Sequence, residues 1–293
     1  VMKNMRITRE GHLQKRPGSR TRLDLSEAFA AYTGAKSDSP RACGAWYGMV
    51  AGKEWLVVVY GGVAFKVTPG SWAAEALGSM SQDDTFMFPF GGKLYFLNGK
   101  EYKVWDGTAL SDVTGYIPTI VTAATPQGGG TTLQQVNKLN GYRLVKYSPD
   151  GSAKTFQLPE KEIDEVTKVE SKTKNVTIPS YTVDKEKGTI TFSAVIEQGV
   201  NTVEVTYKKG DGDRSAVLGM RFAVSYNGTT DNRVFLYGDG TNKAIYSGLE
   251  TTGAATAEYF PDLKKAAAEQ FAGLFQDLQT KASNGEISTK SLD

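Results

Sequence analysis

The chain has 293 residues, 34 basic against 32 acidic side chains, a formal net charge of +2 and 40% apolar residues. That length allows one large or two to three small domains with a real core, and so even a charge balance by itself calls for no nucleic acid. No apolar run approaches the roughly 18 residues of a membrane helix, so no helical span is expected.

The 32 glycines, with many Thr, Val and Tyr, point to strands and turns. The single cysteine, Cys43, rules out an internal disulfide and fits assembly in a reducing cytosol. It sits in RACGAWYGM and reads as a small packed residue, since a reactive thiol needs a base. The single histidine, His12, cannot supply a multi-histidine metal site. Val1 is not an initiator and reads as a fragment or processed end.

Residues 1–22 carry Lys3, Arg6, Arg9, Lys15, Arg16, Arg20 and Arg22 against Glu10 alone. Lys15, Arg16, Arg20 and Arg22 form the candidate site of the chain. Such a segment can face phosphates or an acidic partner, or be a solvated strand pair that protects its edge with charge. Residues 2–9 and 13–16 read as strands around the Glu10-Gly11 turn. Pro17-Gly18 turns again, and 19–25 is extended. Residues 33–44 read as a loop.

Strands follow at 46–50, 54–60 and 63–68, with turns at Gly52-Lys53 and Gly61-Gly62. The continuous apolar run 56–59 predicts burial on both faces. A matching group covers 85–90, 93–97 and 102–105, broken by Gly-Gly, Asn-Gly and Asp-Gly, the marks of tight antiparallel hairpins. WLVVVYGGVAFKV and KLYFLNGKEYKVW lie about 40 residues apart. A third copy reads RFAVSYNG, then NRVFLYGDGTNKAIYSG. Repeats of this size suggest blades of a β-propeller, with ordinary meanders as the plainer reading.

Residues 155–209 differ. They are rich in Lys, Glu, Val and Thr, and alternate with period two at 155–158, 166–169, 175–178, 181–183, 189–192 and 202–207, the pattern of a small sandwich wetted outside. From Asp262, the apolar residues Leu263, Ala267, Phe271, Leu274 and Leu278 recur at helical spacing, with Phe275 beside them. This helix either packs on its own core or docks on a neighbouring subunit. The expected fold is therefore mainly β. It has propeller-like antiparallel blades over 1–151, an inserted β-sandwich over 152–210, a further blade over 211–261, and a C-terminal amphipathic helix with a polar tail over 262–293.

Chemical motifs are weak. GDGDR (210–214) and YGDGTN (237–242) lack the alternating acidic ligands and distal Glu of a calcium loop. PQGGGT (126–131) lacks the Lys-Ser/Thr of a nucleotide loop and reads as a connector or a close backbone approach. Asp83-Asp84 has no apolar shielding to raise a carboxyl pKa. No cofactor, metal or enzymatic activity is expected.

Several strings carry a family likeness: REGHLQKRPGSR, FPFGGKLYFLNGKEYKVWDG, VTGYIPT, TPQGGGT, VNKLN and YSGLETTGAATAEYFPDL. With KTFQLP and YTVDKEKGTITFSAVIEQGVNTVEVTY in the sandwich, the chain resembles tailed-bacteriophage structural proteins of the head-to-tail connector or tail-nozzle kind (the tail tubular, packaged-DNA stabilisation type). The resemblance spans roughly residues 5–262. It implies a non-enzymatic virion protein of the neck or tail, assembled in the host bacterial cytoplasm. Its partners would be copies of itself in a ring, commonly sixfold, other neck and tail proteins, and genomic DNA that passes through the channel without sequence-specific binding. By that likeness Lys15, Arg16, Arg20 and Arg22 face a neighbour or the channel. The chain departs from the family after Asp262, where a helical pattern replaces further strands, and it holds only two or three blades. A β-rich adhesin or carbohydrate-binding module, touching a cell surface through an exposed aromatic cluster, is the alternative.

Overall fold

The computed structural model describes residues 5–15, 21, 23–174, 176–227, 232–250 and 256–263. Among these the chain is mainly β, built from several largely antiparallel sheets and two short helices, and none of the sheets closes on itself. It divides into two compact units, Val1–Gln82 and Asp83–Asp293. The helix and tail expected from Asp262 lie outside the described residues beyond position 263.

The first unit opens with a hairpin of β1 (Met5–Ile7) and β2 (Leu13–Lys15), followed by α1 (Ser26–Ala31). Its main sheet is a meander of β3 (Ala42–Val50), β4 (Lys53–Tyr60), β5 (Val63–Val67) and β6 (Ala74–Ser79), paired in chain order. β3 starts inside the expected 33–44 loop because Ala42 pairs with Tyr60. Gly61 and Gly62 join β4 to β5 with φ of 60° and 77°, the left-handed pair whose twist matches the flanking strands. The run 56–59 is not buried on both faces. Val57 and Val59 are fully buried, whereas Leu56 and Val58 are half-buried. Lys36 closes the end of α1, its Nζ donating to the carbonyls of Phe29, Ala30 and Tyr32 at 2.7, 3.1 and 2.7 Å. A cation there suits the negative end of the helix.

The second unit begins with another four-stranded meander: β7 (Phe86–Phe90), β8 (Lys93–Leu97), β9 (Tyr102–Trp105) and β10 (Leu110–Asp112). Two sheets follow that share one core. One has the order β12-β11-β13-β18-β15, from β11 (Thr119–Ala124), β12 (Thr131–Thr132), β13 (Tyr142–Tyr147), β15 (Glu165–Ser171) and β18 (Val203–Lys208). The other is β14 (Thr155–Gln157), β17 (Thr189–Phe192) and β16 (Tyr181–Asp184), in that order. Phe156, Phe192, Tyr147, Val205 and Tyr207 lie fully buried between them, which makes this region a small β-sandwich. It draws in β11–β13, upstream of residue 152. Residues 176–180, expected to be partly extended strand, carry none.

After α2 (Arg214–Leu218) comes a three-stranded meander, β19 (Phe222–Asn227), β20 (Asn232–Tyr237) and β21 (Ala244–Tyr246). It packs on the β7–β10 sheet around a second core. Phe88, Tyr95, Leu97 and Tyr102 come from one sheet, and Ala223, Val234 and Leu236 from the other. The rings of Phe88, Tyr95 and Tyr102 stack at 5.3 and 5.7 Å. The first strands of the two sheets lie side by side, with Phe86 meeting Phe222 edge to face at 5.9 Å. The three repeated strings fall on β4–β5, β8–β9 and β20–β21. Each is the second-to-third-strand hairpin of its own sheet.

Candidate functional site

The basic segment predicted as a site is only partly placed. Lys15 ends β2 opposite Met5. Arg16, Arg20 and Arg22 lie outside the described residues. His12 is exposed in the β1–β2 turn, its backbone N–H donating to Thr8 Oγ1 at 3.2 Å. Cys43 is buried on β3, its thiol 3.6 Å from the Arg41 carbonyl oxygen. Among the described residues no group of three or more His, Cys, Asp or Glu side chains is placed to hold a metal ion.

The other singled-out loops serve the fold. In GDGDR, Gly212 has φ of 72°, and a Cβ there would lie 2.6 Å from the Lys138 carbonyl oxygen and 2.8 Å from that of Asn140. Asp211 pairs with Lys208 at 2.7 Å, and the Gly210 N–H donates to Asp164 at 2.7 Å. In YGDGTN, Asp239 accepts from the Thr241 backbone and hydroxyl at 2.9 and 2.6 Å, a local turn bond. In PQGGGT, a Cβ at Gly130 would lie 2.7 Å from the Thr122 carbonyl oxygen, a close backbone approach. Asp83 pairs with Lys100 at 3.0 Å.

What sequence reasoning missed is a polar junction around Asn137. This residue is fully buried, in VNKLN. Its Nδ2 donates to the carbonyls of Tyr116 and Glu258, both at 2.8 Å. Its Oδ1 accepts from the N–H groups of Phe260 and Leu139 at 3.0 and 3.1 Å. Both donors and both acceptor positions of the amide are used. Around it, Tyr116 N–H donates to Glu258, Lys138 N–H to Phe260 and Asp262 N–H to Val136, each at 2.8 Å. Lys138 Nζ lies 3.0 Å from Asp262 and 3.4 Å from Asp213. Gly115 must be glycine here, since a Cβ would lie 2.7 Å from Leu139 Cβ. VTGYIPT, VNKLN and the end of YSGLETTGAATAEYFPDL thus meet at one side chain. No periodic pattern marks a lone buried Asn, so only its place between turn glycines hinted at it.

Two buried phenols flank this junction. Tyr95 donates to Glu258 Oε1 at 3.1 Å, which also pairs with Lys93 at 2.7 Å. Burial, then the Glu258 charge, pushes the Tyr95 pKa well above its usual value. Tyr102 is fully buried, donates to the Ala257 carbonyl at 2.8 Å and is raised for the same first reason.

No protein-family model, curated protein or solved structure matches this chain.

The second feature with functional potential is a surface. The inner face of β19–β21 presents Ala223, Val234 and Leu236 to the core. Strand alternation puts Phe222, Val224, Tyr226, Arg233, Phe235, Tyr237 and Tyr246 on the outer face. Phe222, Val224, Tyr226, Tyr237 and Tyr246 are 44, 53, 60, 42 and 37% exposed, five of the 15 exposed large apolar side chains among the described residues. Register pairs Phe222 with Tyr237, Val224 with Phe235 and Phe235 with Tyr246, and the Arg233 guanidinium lies over the Tyr246 ring at 5.5 Å. Scattered apolar side chains are ordinary on a surface, but a contiguous patch marks a contact.

Proposed function

We infer that this chain is a structural protein of a tailed-phage neck or tail. It would be a nozzle-like subunit that assembles with copies of itself into a ring and helps retain and pass DNA during ejection. The observation that carries this reading is the convergence at Asn137. Three of the strings that resemble phage neck and nozzle proteins, spread over residues 113–263, make one buried hydrogen-bonded junction, so they behave as parts of a single design rather than as unrelated turns. The repeated four-stranded meanders support it further. β3–β6 and β7–β10 have the strand order of propeller blades, and a rigid β scaffold suits a ring that works by contacts. On this reading Lys15, Arg16, Arg20 and Arg22 face a neighbouring subunit or the channel. Modest charge also suits a conduit, because tight phosphate binding needs many clustered cations. Negative-stain imaging of the purified chain tests the reading. Closed rings with an axial opening are expected, and isolated particles at every concentration would overturn it.

A second reading, an adhesin or carbohydrate-binding module, draws on one observation: the aromatic outer face of β19–β21. Aromatic faces can stack on sugar rings. A glycan array decides it, with binding that disappears in Tyr226→Ala and Tyr237→Ala as the supporting result and no binding as the opposing one.

A further inference from the structure

We propose that the cavity beside the buried Arg143–Glu160 pair is a binding site for a single sugar ring, recognised through neighbouring hydroxyls. The inference rests on neither reading above, and all its residues belong to the second unit. The cavity has a volume of about 180 Å³, close to that of a cavity known to take one six-membered ring. Ile120, Val121 and Val136 form its apolar wall, and Arg143, Glu160, Thr132 and Gln135 bring polar groups to it. An apolar wall with a few convergent polar groups is the usual make-up of a small-molecule site.

The polar groups are unequally occupied. The Arg143 side chain is only 4% exposed, and a guanidinium so withdrawn from water needs partners for its N–H donors. Nη1 serves the Gly141 and Lys209 carbonyls. The Nε–H makes no aligned bond, and Nη2 bonds to no described residue. The Gln135 backbone is pinned by the Tyr259 hydroxyl, which accepts from its N–H at 3.1 Å and donates to its carbonyl at 2.9 Å. The Gln135 amide and the Thr132 hydroxyl have no partner among the described residues. The cavity thus holds unused donors on a fixed backbone.

The charge count decides the ligand class. Glu160 Oε2, 2.6 Å from Arg143 Nε, already neutralises the guanidinium. An anion would gain no net attraction and would face the carboxylate. A neutral polyol meets neither problem, because each hydroxyl both accepts and donates. Two neighbouring hydroxyls can accept from Arg143 and Gln135 while donating to Glu160, whose carboxylate has about four acceptor positions in all. The C–H face of the ring then lies against Ile120 and Val136.

The test is saturation-transfer NMR on the full chain with a panel of methyl pyranosides, and with acetate and inorganic phosphate as anion probes. At least one pyranoside should bind with a Kd on the order of 1 mM, the affinity a ring of about 13 heavy atoms reaches at ordinary ligand efficiency. Acetate and phosphate should bind more weakly. Gln135→Ala and Thr132→Val break no side-chain bond to a described residue. Each should keep the unfolding midpoint and weaken that pyranoside about threefold to tenfold. Tyr226→Ala with Tyr237→Ala should leave it unchanged. No binding by any pyranoside at about 50 mM, far above that Kd, would overturn the proposal. So would binding that survives both cavity variants and disappears with the two tyrosines, which would move the sugar to the aromatic face. Tighter binding of acetate or phosphate than of every pyranoside would overturn it as well, since the cavity would then take a charge.

Discussion

Asn137 and Phe260, 123 positions apart in the chain, are joined by a buried bond of 3.0 Å from the Phe260 N–H to the Asn137 amide oxygen. Each is completely enclosed. Asn137→Ala would strand the carbonyls of Tyr116 and Glu258 and the N–H groups of Leu139 and Phe260 without water to replace the amide. Each unpaired buried group costs about 1–3 kcal/mol, so a loss of about 3 kcal/mol or more is expected in urea unfolding. A loss below about 1 kcal/mol would mean the junction is not where the second unit is held.

The same junction predicts a contrast between two glycines. Gly212 and Gly240 both have left-handed backbone, with φ of 72° and 86°. Only at Gly212 would a Cβ meet neighbours under 3 Å away, whereas Gly240 has nothing within 4 Å. Gly240→Ala should cost about 1 kcal/mol, the left-handed penalty alone. Gly212→Ala should cost clearly more, because the carbonyls of 137–140 must move. Equal losses by thermal unfolding would contradict the packing.

The sandwich core holds an ion pair whose removal should be sharply asymmetric. Arg143 Nε lies 2.6 Å from Glu160 Oε2, with side chains only 4 and 17% exposed and the N–H poorly aligned to the contact. Arg143 also donates to the Gly141 and Lys209 carbonyls at 2.5 and 2.8 Å, and Tyr207 donates to Glu160 at 3.1 Å. Glu160→Gln leaves a buried guanidinium without its counter-charge and should cost about 3 kcal/mol. Tyr207→Phe removes one hydrogen bond and should cost about 1 kcal/mol. The reverse order in denaturant midpoints would show that Arg143 is solvated.

Five tyrosines give an alkaline signature. Tyr95, Tyr102, Tyr147, Tyr207 and Tyr259 are all held above the ordinary phenol value, each first by burial, and Tyr259 is pushed up to about 12. A raised native pKa means the fold favours the neutral phenol. That stability is complete below the unfolded value, near 10, and is lost as pH rises from there through the native values. Phenolate absorbance should therefore rise in two stages, exposed tyrosines first and these five in a cooperative step with unfolding. A single smooth titration of all 14 tyrosines near pH 10 would contradict their burial.

The local part of this fold was legible. Gly61-Gly62, Asn98-Gly99 and Gly238-Asp239-Gly240 code their turns by backbone conformation, so the three repeated hairpins could be read directly. The fourth strands, β6 and β10, could not. AEALGS and LSD carry little strand propensity and are extended because a neighbour offers a ladder. The parallel pair β11 and β13 was also hidden, since it joins non-adjacent strands with shifts in register. The junction was invisible for another reason. A buried Asn shows no periodicity, and its partners are backbone groups that any sequence possesses. The aromatic face was legible as composition but not as a face until strand register set Phe222 beside Tyr237.

The most direct test of the structural reading is the mass of the purified chain in solution, by light scattering at increasing concentration. Self-assembly into a ring predicts a discrete particle whose mass is a whole multiple of 31.7 kDa. A species that stays at 31.7 kDa up to the limit of solubility would contradict it.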